Sequence, residues 1–375
     1  MENPIYVATV LALLVLLAIY TERTTFGKQL GAALLAIVFT AVIANLGLIP
    51  SASNSIPLYD GVFSYIAPIS IFYLMLGVNL QAIKKAGLPM IGLFVLGSLA
   101  TVSGILLGWY LLAPETILGE DARIIAGMLT GTYTGGSVNF NAIALEYNFQ
   151  ERGVLYAGTI AVDNVMTTFW IIATLAMPRL LRKLWKDKKG KTVDGGADKV
   201  NTSDALTMHS LVWFLFLGLG ALFVSEQLSQ WIPSLPSILT LTTIGIVLAQ
   251  FPFVIRLTGA HTLGLYLVYL FLAVIGAYCE IGAVLELKSV GLGLFAFTAL
   301  AVFIHGIVLI LFGGLLYRDW SMIAIVSQAN IGGGTTALAL AETFERKELV
   351  LPAILVGTLG NALGTYLGFL VIQLL

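Results

Sequence analysis

Residues 131–164 read GTYTGGSVNFNAIALEYNFQERGVLYAGTIAVDN. A glycine- and hydroxyl-rich break interrupts one apolar segment, and a second apolar segment follows with Asp163 and Asn164 near its middle. Apolar helices that cross a bilayer do not normally carry such a break. Backbone groups freed at membrane depth must be satisfied by protein, water or a bound ion, so the break marks a candidate site. The stretch also occurs twice. A gapless shift of 197 residues lays Gly135-Gly136-Ser137 on Gly332-Gly333-Gly334 and Asn164 on Asn361. Over 135–168 the matching residues are Gly135, Gly136, Ala142, Ala144, Glu151, Asn164 and Thr168, so the likeness falls on the unusual positions.

Hydrophobic residues make up 58% of the 375 and charged ones only 10%, against about 25% charged in soluble domains. The apolar runs are long enough to cross a bilayer as helices and far too long for barrel strands, so the expected class is an all-α integral membrane protein. Cys279 is the single cysteine, which excludes a disulfide within the chain and a cysteine metal cluster, and it reads as a small packing residue. Met1 to Tyr20 lacks a basic leader and a small-residue cleavage site and reads as a retained first helix. The Gly332-Gly333-Gly334 run lacks the Lys-Ser/Thr of a phosphate loop, and no nucleic-acid signature is present.

Apolar segments are predicted at 5–21, 29–49, 63–81, 89–112, 124–145 and 153–177, then at 209–231, 236–255, 262–286, 289–317, 320–342 and 349–374. Residues 1–178 form a first repeat with its break at 131–137. Residues 179–208 form a basic linker, and 209–375 form a second repeat with its break at 328–336. Lys84 with Lys288, Gly104 with Gly306 and Asp121 with Asp319 recur at close to the same spacing.

Basic residues then select a topology, because short cytoplasmic loops are enriched in Lys and Arg. If all twelve segments cross, the 19 basic residues divide 11 to 8. If the two broken segments enter and return on one face, the division is 16 to 3, with only Arg123, Arg152 and Lys288 opposed to the linker side. The expectation is therefore about ten transmembrane helices plus two re-entrant or broken elements, with the linker cytoplasmic and both termini outside, in the cell (inner) membrane. Five crossings per half would insert the second repeat inverted relative to the first, an architecture recurrent among secondary transporters. The alternative is that the broken segments cross one another as paired half-helices.

The glycine breaks lack side-chain bulk and leave carbonyl oxygens free, while the half-helix that follows each points its amide end at the gap. Thr130, Thr132, Thr134, Gly135, Gly136, Ser137, Asn139 and Asn141 in the first copy offer neutral donors and acceptors. So do Ser327, Gln328, Asn330, Gly332, Gly333, Gly334, Thr335 and Thr336 in the second. The bland reading of these small residues is tight helix packing in lipid. Asp163 is an ionisable group in mid-segment with no basic residue at comparable depth, so a cation is its expected partner, with Asn164 and Asn361 completing a sodium site. His305 reads as a proton shuttle or as a core histidine bonded to a carbonyl. Glu280 is read as a snorkelling or ion-linked residue, Glu226 as interfacial, and Glu146 and Glu342 as the far ends of the broken elements. Segments one to three and seven to nine, poor in polar interruptions, suit a static scaffold and a homodimer contact.

The run Gly131 to Phe140 with the second Gly332-Gly333-Gly334 resembles the membrane family known as domain of unknown function 819, over essentially the whole chain. That family is similar to the superfamily of cation:proton antiporters and anion transporters that includes sodium-coupled glutamate and bile-acid symporters. The resemblance implies an inverted-repeat core, two discontinuous helices and alternating access, with no cofactor beyond a coupling ion. Antiporters of that superfamily carry an acidic pair after the broken helix, whereas this chain has Asp163-Asn164 and, in the second copy, Gly360-Asn361.

Three functions follow. The first is a secondary transporter coupling sodium or protons to a small organic anion or amino-acid-like solute. The second is a monovalent cation:proton antiporter. The third is a non-transport membrane protein or intramembrane enzyme, disfavoured because the sequence shows no Ser-His or Cys-His pair, no His-Glu-x-x-His and no paired aspartates at midplane depth.

Overall fold

Long apolar runs become helices because in hydrocarbon each unpaired backbone amide costs several kcal/mol, and a helix pairs every one within its own segment. A computed structural model describes residues 3–24, 27–188, 205–232, 235–279 and 287–375. The first half forms α1 (Pro4–Glu22), α2 (Gly27–Asn45), α3 (Pro57–Met75), α4 (Leu88–Leu112), α5 (Asp121–Gly135), α6 (Ser137–Glu146) and α7 (Gly153–Leu184). The second forms α8 (Met208–Trp231), α9 (Ser237–Leu248), α10 (Ala260–Ala277), α11 (Leu287–Leu316), α12 (Trp320–Ile331), α13 (Gly333–Thr343) and α14 (Lys347–Leu374). Eight of these are long and apolar enough to cross a membrane, and α2 and α9, the second helix of each half, are shorter apolar helices. No strand occurs among the described residues, and the protein is an all-α membrane protein. The expected segment at 63–81 begins earlier, at Pro57, and that at 236–255 ends its main helix at Leu248 before a short turn at Pro252–Ile255. Glu280, the side chain of Lys288 and most of the linker lie outside the described residues.

The two breaks are narrower than the glycine-rich runs that announce them. Gly131 to Gly135 stay helical, and α5 stops only at Gly136, whose φ of +98° lies in the left-handed region that a Cβ disfavours. There the chain reverses: Gly131 lies against Asn139 and Ile143 of α6, residues that a continuous helix would carry about 12–18 Å away. The second reversal is at Gly332-Gly333, with φ of +81° at Gly333, and across it Gln328 Nε2 donates to Thr336 Oγ1 at 3.1 Å. Both broken elements are hairpins: α5–α6 and α12–α13.

An ion pair closes the open end of each hairpin. Arg152 Nη1 donates to Asp121 Oδ2 at 2.7 Å in the first. In the second, Arg346 donates to both carboxylate oxygens of Asp319 at 3.0 and 2.8 Å and also pairs with Glu348. Arg152 directly precedes α7, whereas the second hairpin's open end touches the far end of α7, where Arg182 Nη2 donates to Ser321 Oγ at 2.7 Å and Trp320 Nε1 to the Trp185 carbonyl at 2.6 Å. Helix α7 has 32 residues and is about 48 Å long at 1.5 Å per residue, more than the roughly 30 Å hydrocarbon core. The hairpins therefore open at opposite ends of a helix long enough to span the bilayer.

Helices α1, α2, α3, α8, α9 and α10 pack mainly on one another, with Tyr73 Oη donating to the Phe214 carbonyl at 2.9 Å and Gly276 closing on the Ile37 carbonyl. The remaining helices form the second body, in which α14 runs along α5 and α11 along α4. The α5–α14 seam is built of glycine. Gly127, Gly131 and Gly135 recur every fourth residue on α5, as do Gly360, Gly364 and Gly368 on α14, in antiparallel order. A Cβ on Gly360 would sit 2.5 Å from the Thr134 carbonyl oxygen, one on Gly364 2.7 Å from that of Gly131, and one on Gly368 2.7 Å from that of Gly127.

Substitutions in the seam and in the two clasps test this account. Gly360→Ala should lower stability by about 3 kcal/mol, because the obstacle is backbone that cannot turn aside. Gly220→Ala, facing open space on α8, should leave the melting temperature in detergent unchanged or raised. Arg346→Ala should cost roughly 1–3 kcal/mol, whereas Arg152→Ala, removing a single bond from a side chain 58% exposed, should cost under about 1 kcal/mol. Burial pushes the Asp319 carboxyl up, but hydrogen bonds from Arg346 and the Met322 amide outweigh it and hold the group below the usual carboxylate range. The clasp's contribution is thus present above the unfolded value and disappears as pH falls through the depressed one, so the gap between wild type and Arg346→Ala should narrow in acid melts.

Candidate functional site

Both hairpin tips rest on one short stretch of α14. Gly135 meets Gly360, and Gly334 meets Gly357, so contacts from the two tips lie three residues apart on the same helix, about 4.5 Å along its axis. Glycine is needed at Gly135, Gly357 and Gly360, where a Cβ would come within 2.0–2.5 Å of facing backbone, whereas one on Gly334 would make ordinary contact at 3.5 Å. Ser137 and Thr335, which follow the reversals, are exposed, and Gly136, Gly332, Gly333, Gly334, Thr336 and Asn361 are half-buried, so the tips are not sealed inside the protein.

Asp163 faces the first hairpin from α7. Tyr133, Thr167 and Thr132 surround its carboxyl group, yet Asp163 Oδ1 is buried and accepts no hydrogen bond. Tyr133 Oη, which faces it, is buried and unpartnered as well, and so is Thr134 Oγ1 on the following residue. Buried polar groups are nearly always satisfied, so three orphans together ask for an explanation. The next turns of α7 address the second hairpin. Trp170 Nε1 donates to Ser327 Oγ at 3.0 Å and Thr174 Oγ1 to Gln328 Oε1 at 3.2 Å. Asp163, Thr167, Trp170 and Thr174 thus form one polar stripe at helical spacing, a pattern legible in the sequence once α7 is known to be helical.

Most of the other expected site residues are bonded to neighbouring backbone or side chains. Asn139 Oδ1 accepts the Thr365 amide and hydroxyl at 3.0 and 2.8 Å, fastening α6 to α14. Asn141 Oδ1 accepts the Tyr156 hydroxyl, and Thr130 Oγ1 donates to the Ala126 carbonyl. Asn164 turns away from Asp163 and donates to the Leu30 carbonyl at 3.1 Å, which is free because α2 is broken at Gly31. Asn330, fully buried, donates to Ser98 Oγ at 3.0 Å, while its Oδ1 has no partner and lies against Gly97.

His305 joins the two hairpins through a chain that the sequence does not reveal. Its Nδ1 lies 3.0 Å from the Gly97 carbonyl and 3.1 Å from Thr101 Oγ1, its Nε2 lies 3.0 Å from Ser327 Oγ, and Thr101 in turn donates to the Tyr133 carbonyl at 3.0 Å. A carbonyl only accepts, so the proton belongs on Nδ1 and Nε2 accepts from Ser327. The fold therefore creates a Ser-His pair where none is visible in the sequence. Ser327 and His305 are both fully buried, Ser327 also accepts from Trp170, and the second imidazole nitrogen faces a carbonyl and a hydroxyl rather than a carboxylate. That is a packing network and not an activated nucleophile. Among the described residues no group of three His, Cys, Asp or Glu could hold a metal ion.

The chain is 28% identical over 369 residues to the uncharacterized membrane protein YjcL of Bacillus subtilis (strain 168), an alignment covering 92% of this chain and 90% of that protein. Residues 6–375 match the family described as protein of unknown function DUF819. With that match running nearly the full length, this chain belongs to the DUF819 family of membrane proteins.

Proposed function

We infer that this protein is a secondary active transporter whose two halves are inverted repeats, related to the cation:proton antiporter and anion transporter superfamily. The observation that carries the reading is Asp163, whose Oδ1 is buried and unpartnered where it faces Thr132 and Tyr133 of the first hairpin, on a helix whose next turns hold the second hairpin. An ionised carboxylate at membrane depth costs at least about 2.5 kcal/mol unless paired or hydrated. A sodium ion or a proton would pair it, with oxygens of Thr132, Tyr133 and Thr167 close by. Hairpins that open at opposite ends of α7 support inversion of the second half, and the excess of basic residues on the linker side supports a cytoplasmic position for that side. The solute is a small organic anion or zwitterion, held at the exposed amide ends of α6 and α13, where Ser137 and Thr335 stand.

A single carboxyl without a basic neighbour is also the minimum for exchanging a monovalent cation against protons, and that is the second reading. Thermal unfolding of the purified chain with a panel of carboxylates and amino acids, with and without sodium, separates them from a non-transporting protein. Symport predicts a solute whose stabilisation grows at least tenfold in apparent affinity with sodium and loses that dependence in Asp163→Asn. Exchange predicts no solute effect but proton movement on imposing a cation gradient across proteoliposomes loaded with a pH dye. A wild-type response that Asp163→Asn leaves intact would remove the coupling role from this residue.

A further inference from the structure

A cavity of about 310 Å³ lies away from the tips, where the returning end of the first hairpin meets the scaffold. Glu146, Asn148 and Gln150 line it from the hairpin side, and Ser64, Glu226 and Ser237 from the scaffold side. Among the described residues no Lys, Arg or His lines it. Glu146 Oε2 accepts the Ile238 amide at 3.0 Å and the Ser237 hydroxyl at 3.4 Å, so this carboxylate is fixed across the junction. Gln150 is 4% exposed, its Nε2 donates to Asn148 Oδ1 at 3.4 Å, and its Oε1 is buried without a donor. A buried acceptor without a donor, in the wall of a cavity that also holds two carboxylates, is what a bound cation would satisfy.

We propose that this junction binds a divalent cation with part of its hydration shell, tying the first hairpin to the scaffold. Two carboxylates balance two positive charges, and the amide and hydroxyl oxygens add neutral ligands of the kind hard cations take in sets of about six to eight. At about 30 Å³ per water, the volume accommodates an ion that keeps several waters. The site shares no residue with the Asp163 cluster and stands whether or not that cluster couples transport. It crosses the boundary between the two bodies, so occupation would hold them in the arrangement seen here.

The test is thermal unfolding of the purified full-length chain titrated with calcium or magnesium chloride, against sodium chloride at equal ionic strength. A saturable rise in melting temperature is expected with a divalent salt only. Glu226→Gln and Gln150→Leu should each raise the half-saturating concentration at least tenfold, and Asp163→Asn should leave it unchanged. Glu226 is exposed, so its amide variant keeps the fold. A rise matched by sodium, no saturable rise, a half-saturation unmoved in either junction variant, or its loss in Asp163→Asn would each overturn the site.

Discussion

The close approach of α5 and α14, glycine on glycine, is the contact on which the rest depends. Lipid is as apolar as leucine, so helices in a bilayer gain little from burying large apolar side chains against one another and associate through close van der Waals packing instead. Removing side chains along both faces brings backbone to backbone at Gly127–Gly368, Gly131–Gly364 and Gly135–Gly360. The same seam sets the height of the first reversal on α14, and Gly357 sets that of the second. Glycine thus has two separate uses here: its missing Cβ lets the helices touch, and its access to positive φ at Gly136 and Gly333 turns the chain back.

Around that seam the polar groups sort by whether the protein itself can satisfy them. Asn139, Asn141, Asn164 and Gln328 find partners on neighbouring helices and so act as fasteners. Asp163, Tyr133, Thr134 and Asn330 each keep a buried atom without one. Composition does not separate the two groups, since both are amides, hydroxyls and acids set among apolar residues. Only the position of the facing helix does. His305 makes the same point from the other side: an isolated histidine in the sequence becomes, once α4, α7 and α12 close round it, a fully bonded link between the hairpins.

The ion pairs at the open ends of the two hairpins are unequal in strength. Asp319 receives two bonds from a guanidinium that also meets Glu348, while Asp121 receives one from an arginine more than half exposed. Solvent screens the Arg152–Asp121 pair more than the Arg346–Asp319 pair. The hairpin closed by the looser pair is also the one whose returning end borders the junction cavity.

The sequence by itself determined the all-α membrane class and marked the two glycine runs at which the chain reverses, though not the break at Gly31. Hydrocarbon imposes one solution on a long apolar run, and glycine clusters inside such a run have few uses. The duplication, read from Gly135-Gly136 and Gly332-Gly333 with Asn164 and Asn361, also located the hairpins, and the skewed distribution of arginine and lysine pointed to their return on one face. What only the tertiary structure decided is which polar residues are left over. Asn164 reads as Asp163's companion but bonds to Leu30, because the break at Gly31 frees a carbonyl on a helix more than a hundred residues away. The glycine seam likewise joins residues from opposite halves, as do the Trp170–Ser327 and Thr174–Gln328 bonds. Periodicity along one helix shows which residues share a face, but the identity of the helix that meets that face is a property of the packed chain.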